Sequence, residues 1–213
     1  NDVLDRLDAE STYFEQFLLQ DVRSNRATVA VFGGEASFQK LAEYLRTAEQ
    51  TASLVRLNIG EVAISENSNN GEMESILRQC HVPLSAVADV DCQGSMQVET
   101  ATIEMNGIDL PFSANLVWME AHVSSAEDPV NSITQILNFV FGKLQAHALQ
   151  SGKAPRLLVT FRGGQDCDVR APFKSGLAES KIHVPLWIRG NILHACRIQS
   201  LAGSFDLLPT ITE

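Results

Sequence analysis

Residues 128–161 read DPVNSITQILNFVFGKLQAHALQSGKAPRLLVTF, and this stretch predicts a long amphipathic helix followed by a buried strand. Asp128 is a favoured N-cap residue, and Pro129 suits the first helical position because its missing N–H is not needed there. The apolar stripe of the helix comprises Ile133, Ile136, Leu137, Val140, Phe141, Leu144 and Ala148. Gly152 can end the helix, and residues 156–161 form an apolar run of strand length. A helix that leads directly into a buried strand is typical of an α/β fold.

The rest of the chain alternates the same two kinds of element. The predicted helices span 1–19, 35–49, the residues that lead to Cys80 and those around Pro209. The predicted strands span 52–59, 96–105, 115–120 and 184–189, and turns are predicted at 67–71, 106–107 and 163–164. Strands separated by helices indicate a mostly parallel, mixed sheet with helices on both faces. Because no linker interrupts this pattern, we expect a single domain over residues 1–213.

Composition and charge exclude several classes of protein. The 213 residues are 45% hydrophobic and 20% charged, which excludes a disordered tail, a collagen and a coiled coil. The sequence has no run of about 18 apolar residues, so no membrane-spanning helix is predicted. Lys and Arg number 16 against 26 Asp and Glu, which gives a net charge of −10. Such a surface repels phosphates, so nucleic-acid binding is not expected.

The cysteines and the start of the chain bear on cellular location. Cys80, Cys92, Cys167 and Cys196 form no Cys-x-x-Cys pair, and four cysteines in a chain of this length do not indicate a disulfide framework. The chain begins at Asn1, and no charged segment followed by an apolar one is seen there. We therefore expect reduced thiols and a cytoplasmic location.

Two segments near the end of the chain resemble a known family. Residues 174–188 read KSGLAESKIHVPLWI, and residues 204–211 read SFDLLPTI. In order and spacing they resemble the Lys-x-x-Leu-x-Glu stretch, the Val-Pro-Leu strand and the Asp-Leu-Leu-Pro-Thr helix start that close a sulfatase catalytic domain. The likeness extends over 112–122 and 129–160, and more weakly over 4–11 and 41–46. It implies a fold of the alkaline-phosphatase-like superfamily, truncated so that the family's first strand has no counterpart.

The resemblance places Val22 where sulfatases carry their nucleophile. In the family, a Cys or Ser at the start of Cys/Ser-x-Pro-x-Arg is oxidised to formylglycine, whereas this chain reads Val-Arg-Ser-Asn-Arg over 22–26. A valine side chain has no heteroatom and cannot form the hydrated aldehyde that attacks sulfur. Ser24 stays open as an alternative nucleophile, although a shift along the chain displaces its side chain from the reacting position.

The resemblance also implies that the metal site is lost. Sulfatases hold calcium with carboxylates that include the Asp of a Thr-Ser-Asp-His-Gly segment, whereas this chain reads Thr-Phe-Arg-Gly-Gly over 160–164. Arg162 in that place reverses the local charge and opposes cation binding. We therefore expect no metal and no cofactor, while Asp166 and Asp168 stay open as a displaced cation site. The family's Gly-Lys-Trp-His segment corresponds to 56–59, which reads Arg-Leu-Asn-Ile and lacks the Lys and the His.

Three residues match anion contacts of the family. Arg26 corresponds to the arginine of the nucleophile motif, His122 to the histidine of a Pro-His pair, and Lys174 to the lysine that contacts sulfate. Together they would line a vestigial anion pocket. We therefore expect a sulfatase-like domain with no catalytic residues, which binds or regulates a protein partner or a small oxyanion. Two alternatives stay open: an ester hydrolase with relocated catalytic residues, and a plain anion-binding module.

A shortened sheet also predicts self-association. If the family's first strand is missing, the sheet exposes an edge whose unpaired backbone groups can pair with a second copy. We expect a homodimer in solution, measured by light scattering at several protein concentrations. A monomeric mass at every concentration would refute this expectation.

Overall fold

The computed structural model describes residues 2–18, 31–59, 70–92, 94–95, 102–103, 114–123, 129–153, 155–160, 183–190 and 194–212. The helices are α1 (Asp2–Glu10), α2 (Glu35–Thr47), α3 (Asn70–Gln79), α4 (Pro129–Ser151), α5 (Leu207–Thr212) and a 3₁₀ turn at Ser204–Asp206. The longer strands are β1 (Thr12–Leu18), β2 (Ala52–Ile59), β3 (Leu84–Cys92), β6 (Leu116–Val123), β7 (Leu157–Thr160) and β8 (His183–Arg189). The short strands are β4 (Gly94–Ser95), β5 (Thr102–Ile103), β9 (Cys196–Ile198) and β10 (Ala202–Gly203).

A parallel sheet of three strands forms around β2. The strand order is β3, β2, β6, and both neighbours run parallel to β2. Every residue of β2 from Ala52 to Leu57 is buried. Burial on both faces explains why this strand reads as a nearly continuous apolar run rather than as an alternation.

Helices α2 and α3 cover one face of this parallel sheet. Their apolar side chains pack with alternate residues of β2 in one core cluster, which contains Phe32, Phe38, Leu41, Ala42, Leu45, Ala52, Leu54, Met73, Ile76, Leu77 and Val82. The helix predicted over 35–49 and the strand predicted over 52–59 are therefore confirmed. The helix predicted before Cys80 is α3, which begins at Asn70, inside the turn predicted at 67–71.

A second, mixed sheet has the order β10, β1, β8, β7, and β9 also pairs with β1. Strand β8 is antiparallel to both β1 and β7, whereas β9 and β10 run parallel to β1. Helices α1 and α4 pack on one face through Val3, Leu7, Leu137 and Phe141. Helix α5 packs on the other face, where Leu207 contacts a cluster formed by Phe17, Val184, Leu186 and Ile188. The chain is thus a mixed α/β protein with helices on both faces of this sheet.

Several predicted boundaries are wrong. The helix predicted over 1–19 ends at Glu10. Residues 12–18 instead pair with β8 as strand β1, and Phe17 of this strand is buried in the cluster that contains Leu207 of α5. Strands β3, β9 and β10 were not predicted, because they contain few large apolar residues. The structure describes only 102–103 of the strand predicted over 96–105, and the turns predicted at 106–107 and 163–164 lie outside the described residues.

Helix α4 matches its prediction closely. It spans Pro129–Ser151 and buries Ile136, Leu137, Val140, Phe141 and Leu144. Gly152 follows with φ of 67°, and its N–H donates to the carbonyl of Ala148 at 2.9 Å. Among the described residues, no helix, α4 included, is both long enough and apolar enough to cross a bilayer.

Two glycines of the α4 region predict opposite responses to alanine. A Cβ on either Gly142 or Gly152 meets no atom within 4 Å, but only Gly152 has a positive φ. Gly142→Ala should raise the free energy of unfolding by about 0.5–1 kcal/mol, because glycine is a poor residue inside a helix. Gly152→Ala should lower it by about 1–2 kcal/mol, because an L side chain is strained at that φ. Urea unfolding of both variants measures the difference, and shifts of the same sign would contradict it.

Candidate functional site

The carboxyl ends of β2, β3 and β6 lie side by side at one edge of the parallel sheet. In open α/β sheets, this is the edge at which ligands bind. The first half of β2 is buried in the core, whereas the last halves of all three strands alternate polar and apolar residues. Polar residues at a sheet edge of this kind make it the best candidate site in the described part of the chain.

The strand register places these polar residues in two rows. Arg56 of β2 is the register partner of Asp89 in β3 and of Glu120 in β6. Two residues further on, Asn58 is the partner of Asp91 and of His122. Because strand residues repeat with a period of two, Arg56 belongs to the same face of the sheet as Leu54.

Arg56 is the buried member of the first row. The residue is 6% exposed, and its Nη1 lies 3.4 Å from Oδ1 of Asp89. The side chain of Asp89 is 60% exposed, so the guanidinium lies where the protein interior meets water. Nε and Nη2 of Arg56 are both buried and have no hydrogen-bond partner among the residues that the structure describes.

The unused nitrogens of Arg56 form one functional edge. In a guanidinium group, Nε–H and the N–H of Nη2 point in the same direction, whereas Nη1 lies on the opposite side, next to Cδ. This edge can bind a carboxylate, sulfate or phosphate through two parallel hydrogen bonds. Asp89 occupies only the other side of the group.

A further buried donor lies on the same face of the sheet. Trp118 is the register partner of Leu54, and its ring lies 5.1 Å from the ring of Phe32 in the core that α2 and α3 cover. Its indole Nε1 is buried and, within the described ranges, has no acceptor. Trp118 and Arg56 lie on adjacent strands, and Arg56 is two residues beyond the register partner of Trp118. Strand spacing and rise put their Cα atoms about 8 Å apart.

The structure locates one of the three residues predicted for the anion pocket. His122 lies in β6, with its backbone beside that of Asn58 at the candidate edge. Arg26 and Lys174 lie outside the described residues, as do Val22, Ser24, Arg162, Asp166 and Asp168. The pocket of Arg26, His122 and Lys174 therefore stays a prediction. In the described part of the chain, no three His, Cys, Asp or Glu side chains are grouped so as to hold a metal ion.

The row that contains Arg56 was not among the predicted site residues. Its signal is a repeated pattern in which two polar residues flank one apolar residue: Arg-Leu-Asn at 56–58, Asp-Val-Asp at 89–91 and Glu-Ala-His at 120–122. The three tripeptides could not be recognised as one site, because β3 was not predicted. Without β3, nothing in the sequence indicates that Asp89 stands next to Arg56.

Comparison with solved structures agrees with this architecture. The chain is similar to Ps i-CgsB, an i-carrageenan sulfatase, with a TM-score of 0.56, 11% identity and 99% of this chain covered. It is similar to the same protein in complex with k-i-k-neocarrahexaose at the same TM-score and 10% identity. The chain spans 65% of the length of either structure.

The sequence comparisons add no closer relative. No family model matches the chain, and the search of curated proteins found no match. At this level of identity the structural likeness shows the fold alone. The chain has a sulfatase-like α/β fold.

Arg56 is buried, and within the described part of the chain only one of its three nitrogens is in contact with an acceptor, so we expect that its replacement will not destabilise the fold. Arg56→Met removes a buried charge that makes one long ion pair with Asp89, and such replacements are often neutral or stabilising by about 1–4 kcal/mol. We expect the free energy of unfolding of Arg56→Met, from urea denaturation, to equal or exceed that of the wild type. A loss of about 3 kcal/mol or more would instead mark Arg56 as half of an essential structural ion pair.

Proposed function

We propose that this chain is a non-catalytic sulfatase-fold domain that binds a small oxyanion or an anionic group of a partner. The observation that carries the proposal is Val22. The resemblance assigns this residue to the nucleophile position, and its side chain has no atom that can attack sulfur. The sulfatase-like fold supports the comparison of positions on which this argument depends.

Arg162 supports the same proposal from the side of the metal. Sulfate transfer in this family depends on a cation that holds the sulfate oxygens and lowers the pKa of the nucleophile. A guanidinium in place of a carboxylate ligand contributes the charge of a cation and repels a real one. The position can therefore still attract an anion while it no longer assembles a metal site.

The binding role rests on the residues that remain. We propose that Arg26, His122 and Lys174 supply positive or donor groups to one pocket, as the resemblance implies. The location of His122 at the carboxyl edge of the parallel sheet supports this placement. Arginine and lysine side chains bind oxyanions without any reaction, so such a pocket retains affinity when catalysis is gone.

Two alternatives lead to different outcomes. A hydrolase with relocated chemistry would use Ser24 as nucleophile, with a cation held by Asp166 and Asp168. Its activity would depend on both features. A module that binds anions alone would use the same pocket but would have no regulatory role toward a partner.

Hydrolysis assays test the proposal directly. We expect aryl sulfate, aryl phosphate and k-i-k-neocarrahexaose to be consumed at the uncatalysed rate, with calcium or with a chelator, because no nucleophile stands at the reacting position. The measurement is release of phenolate, sulfate or phosphate, with an active sulfatase assayed in parallel.

The matched variants are Ser24→Ala and the double change Asp166→Asn with Asp168→Asn. In the proposed domain they have no activity to lose. Turnover that is abolished by the chelator and by either variant would replace the proposal with the relocated hydrolase.

A further inference from the structure

We propose that Arg56 is an anion-binding residue: the Nε and Nη2 edge of its guanidinium takes two oxygens of a sulfate, phosphate or carboxylate group. This inference rests on the proposed function and adds to it a residue that the resemblance does not supply. By the resemblance, sulfatases carry a glycine at the position of Arg56. The contact is therefore a property of this chain.

The first argument is the cost of leaving these donors buried. Buried polar groups are almost always hydrogen-bonded, and a buried charge with unused donors is destabilising. Arg56 has two such nitrogens without a partner among the described residues. A bound acceptor group would satisfy both at once, whereas a single water molecule would not match the charge.

The second argument is geometric. Asp89 meets Arg56 through one contact of 3.4 Å to Nη1, which is long for an ion pair and involves one oxygen. The side chain of Asp89 is largely exposed, so water screens its charge. The Nε and Nη2 edge, which can bind an oxyanion through two hydrogen bonds, is left to another ligand.

The third argument is location. Arg56 lies two residues before Asn58, whose backbone is in register with that of His122, at the edge where α/β sheets bind their ligands. The buried Nε1 of Trp118, on the neighbouring strand, offers another donor on this face. A ligand that entered from the carboxyl edge would meet the guanidinium at the bottom of the site.

The carboxylates around Arg56 affect the affinity that we expect for an anion. Asp89 and Glu120 flank Arg56 in the register, and Asp89 competes with any anion for the guanidinium. Removal of the charge at Asp89 should therefore tighten anion binding. A purely structural ion pair predicts no such gain.

Calorimetric titration at constant ionic strength tests the assignment. The probes are inorganic sulfate, inorganic phosphate and acetate, with chloride as the reference anion, so that the three oxyanion chemistries are compared directly. We expect saturable binding of at least one probe to the wild type. Arg56→Met should weaken it by about 10-fold or more, because hydrogen bonds to charged groups are lost.

Two controls separate this effect from a general change in charge. Arg78→Met removes the same charge from an exposed arginine that pairs with Glu74 on α3, and it should bind like the wild type. Arg56→Lys keeps the charge but has no two-pronged edge, so its affinity should fall between those of the wild type and Arg56→Met. Asp89→Asn should bind up to about fivefold more tightly.

The outcomes are distinct. Equal affinities of Arg56→Met and Arg78→Met, or no binding of any probe, would overturn the assignment of Arg56. If Arg26→Met and Lys174→Met weaken binding while Arg56→Met does not, the proposed function survives and the assignment of Arg56 fails. Hydrolysis in the assay described above would overturn the proposed function, whatever the titrations show.

Discussion

Strand β2 is covered on both faces and paired on both edges, and the rest of the fold is arranged around this constraint. Its parallel neighbours β3 and β6 satisfy the backbone, and α2 and α3 bury the side chains of one face. A strand in this position must be apolar or must pair its polar groups. It is apolar from Ala52 to Val55, with Ser53 as the exception, and the charge appears only near the end, at Arg56. The transition from a packed strand to a polar edge is what creates a site there.

The mixed sheet depends on polar contacts as well as on its cores. Trp187 of β8 donates from Nε1 to Asp8 of α1 at 2.7 Å and stacks on Tyr13 of β1 with ring centroids 4.8 Å apart. Arg189 pairs with Glu10 at the end of α1. These contacts connect α1 to the sheet on either side of Ser11, where the chain bends and continues as a strand. Ile211 of α5 packs against both the core of the parallel sheet and that of the mixed sheet.

An arginine at the end of a buried strand changes what a sulfatase-like scaffold can do. The scaffold brings the carboxyl ends of several strands to one edge, and this arrangement does not depend on catalysis. Under our proposal, a valine takes the nucleophile position, so the domain has no reactive group. Arg56 nevertheless places a fixed, permanently charged donor there, in surroundings of low dielectric where a two-pronged contact is strong. Binding without turnover is the function that we propose from these two features together.

From the sequence alone, the long apolar periodicity of α4, the buried stripe of α2 and the continuous apolar run of β2 could be recognised. These features depend on the local spacing of apolar side chains, and apolar side chains are the ones that a folded protein buries. The resemblance in the last third of the chain likewise indicated a sulfatase-like fold. Only the tertiary structure decided that residues 12–18 form a strand, since the partner β8 lies about 170 residues further along the chain. It also decided that Asp89 and Glu120 flank Arg56, because strand register is a long-range property that no local pattern encodes.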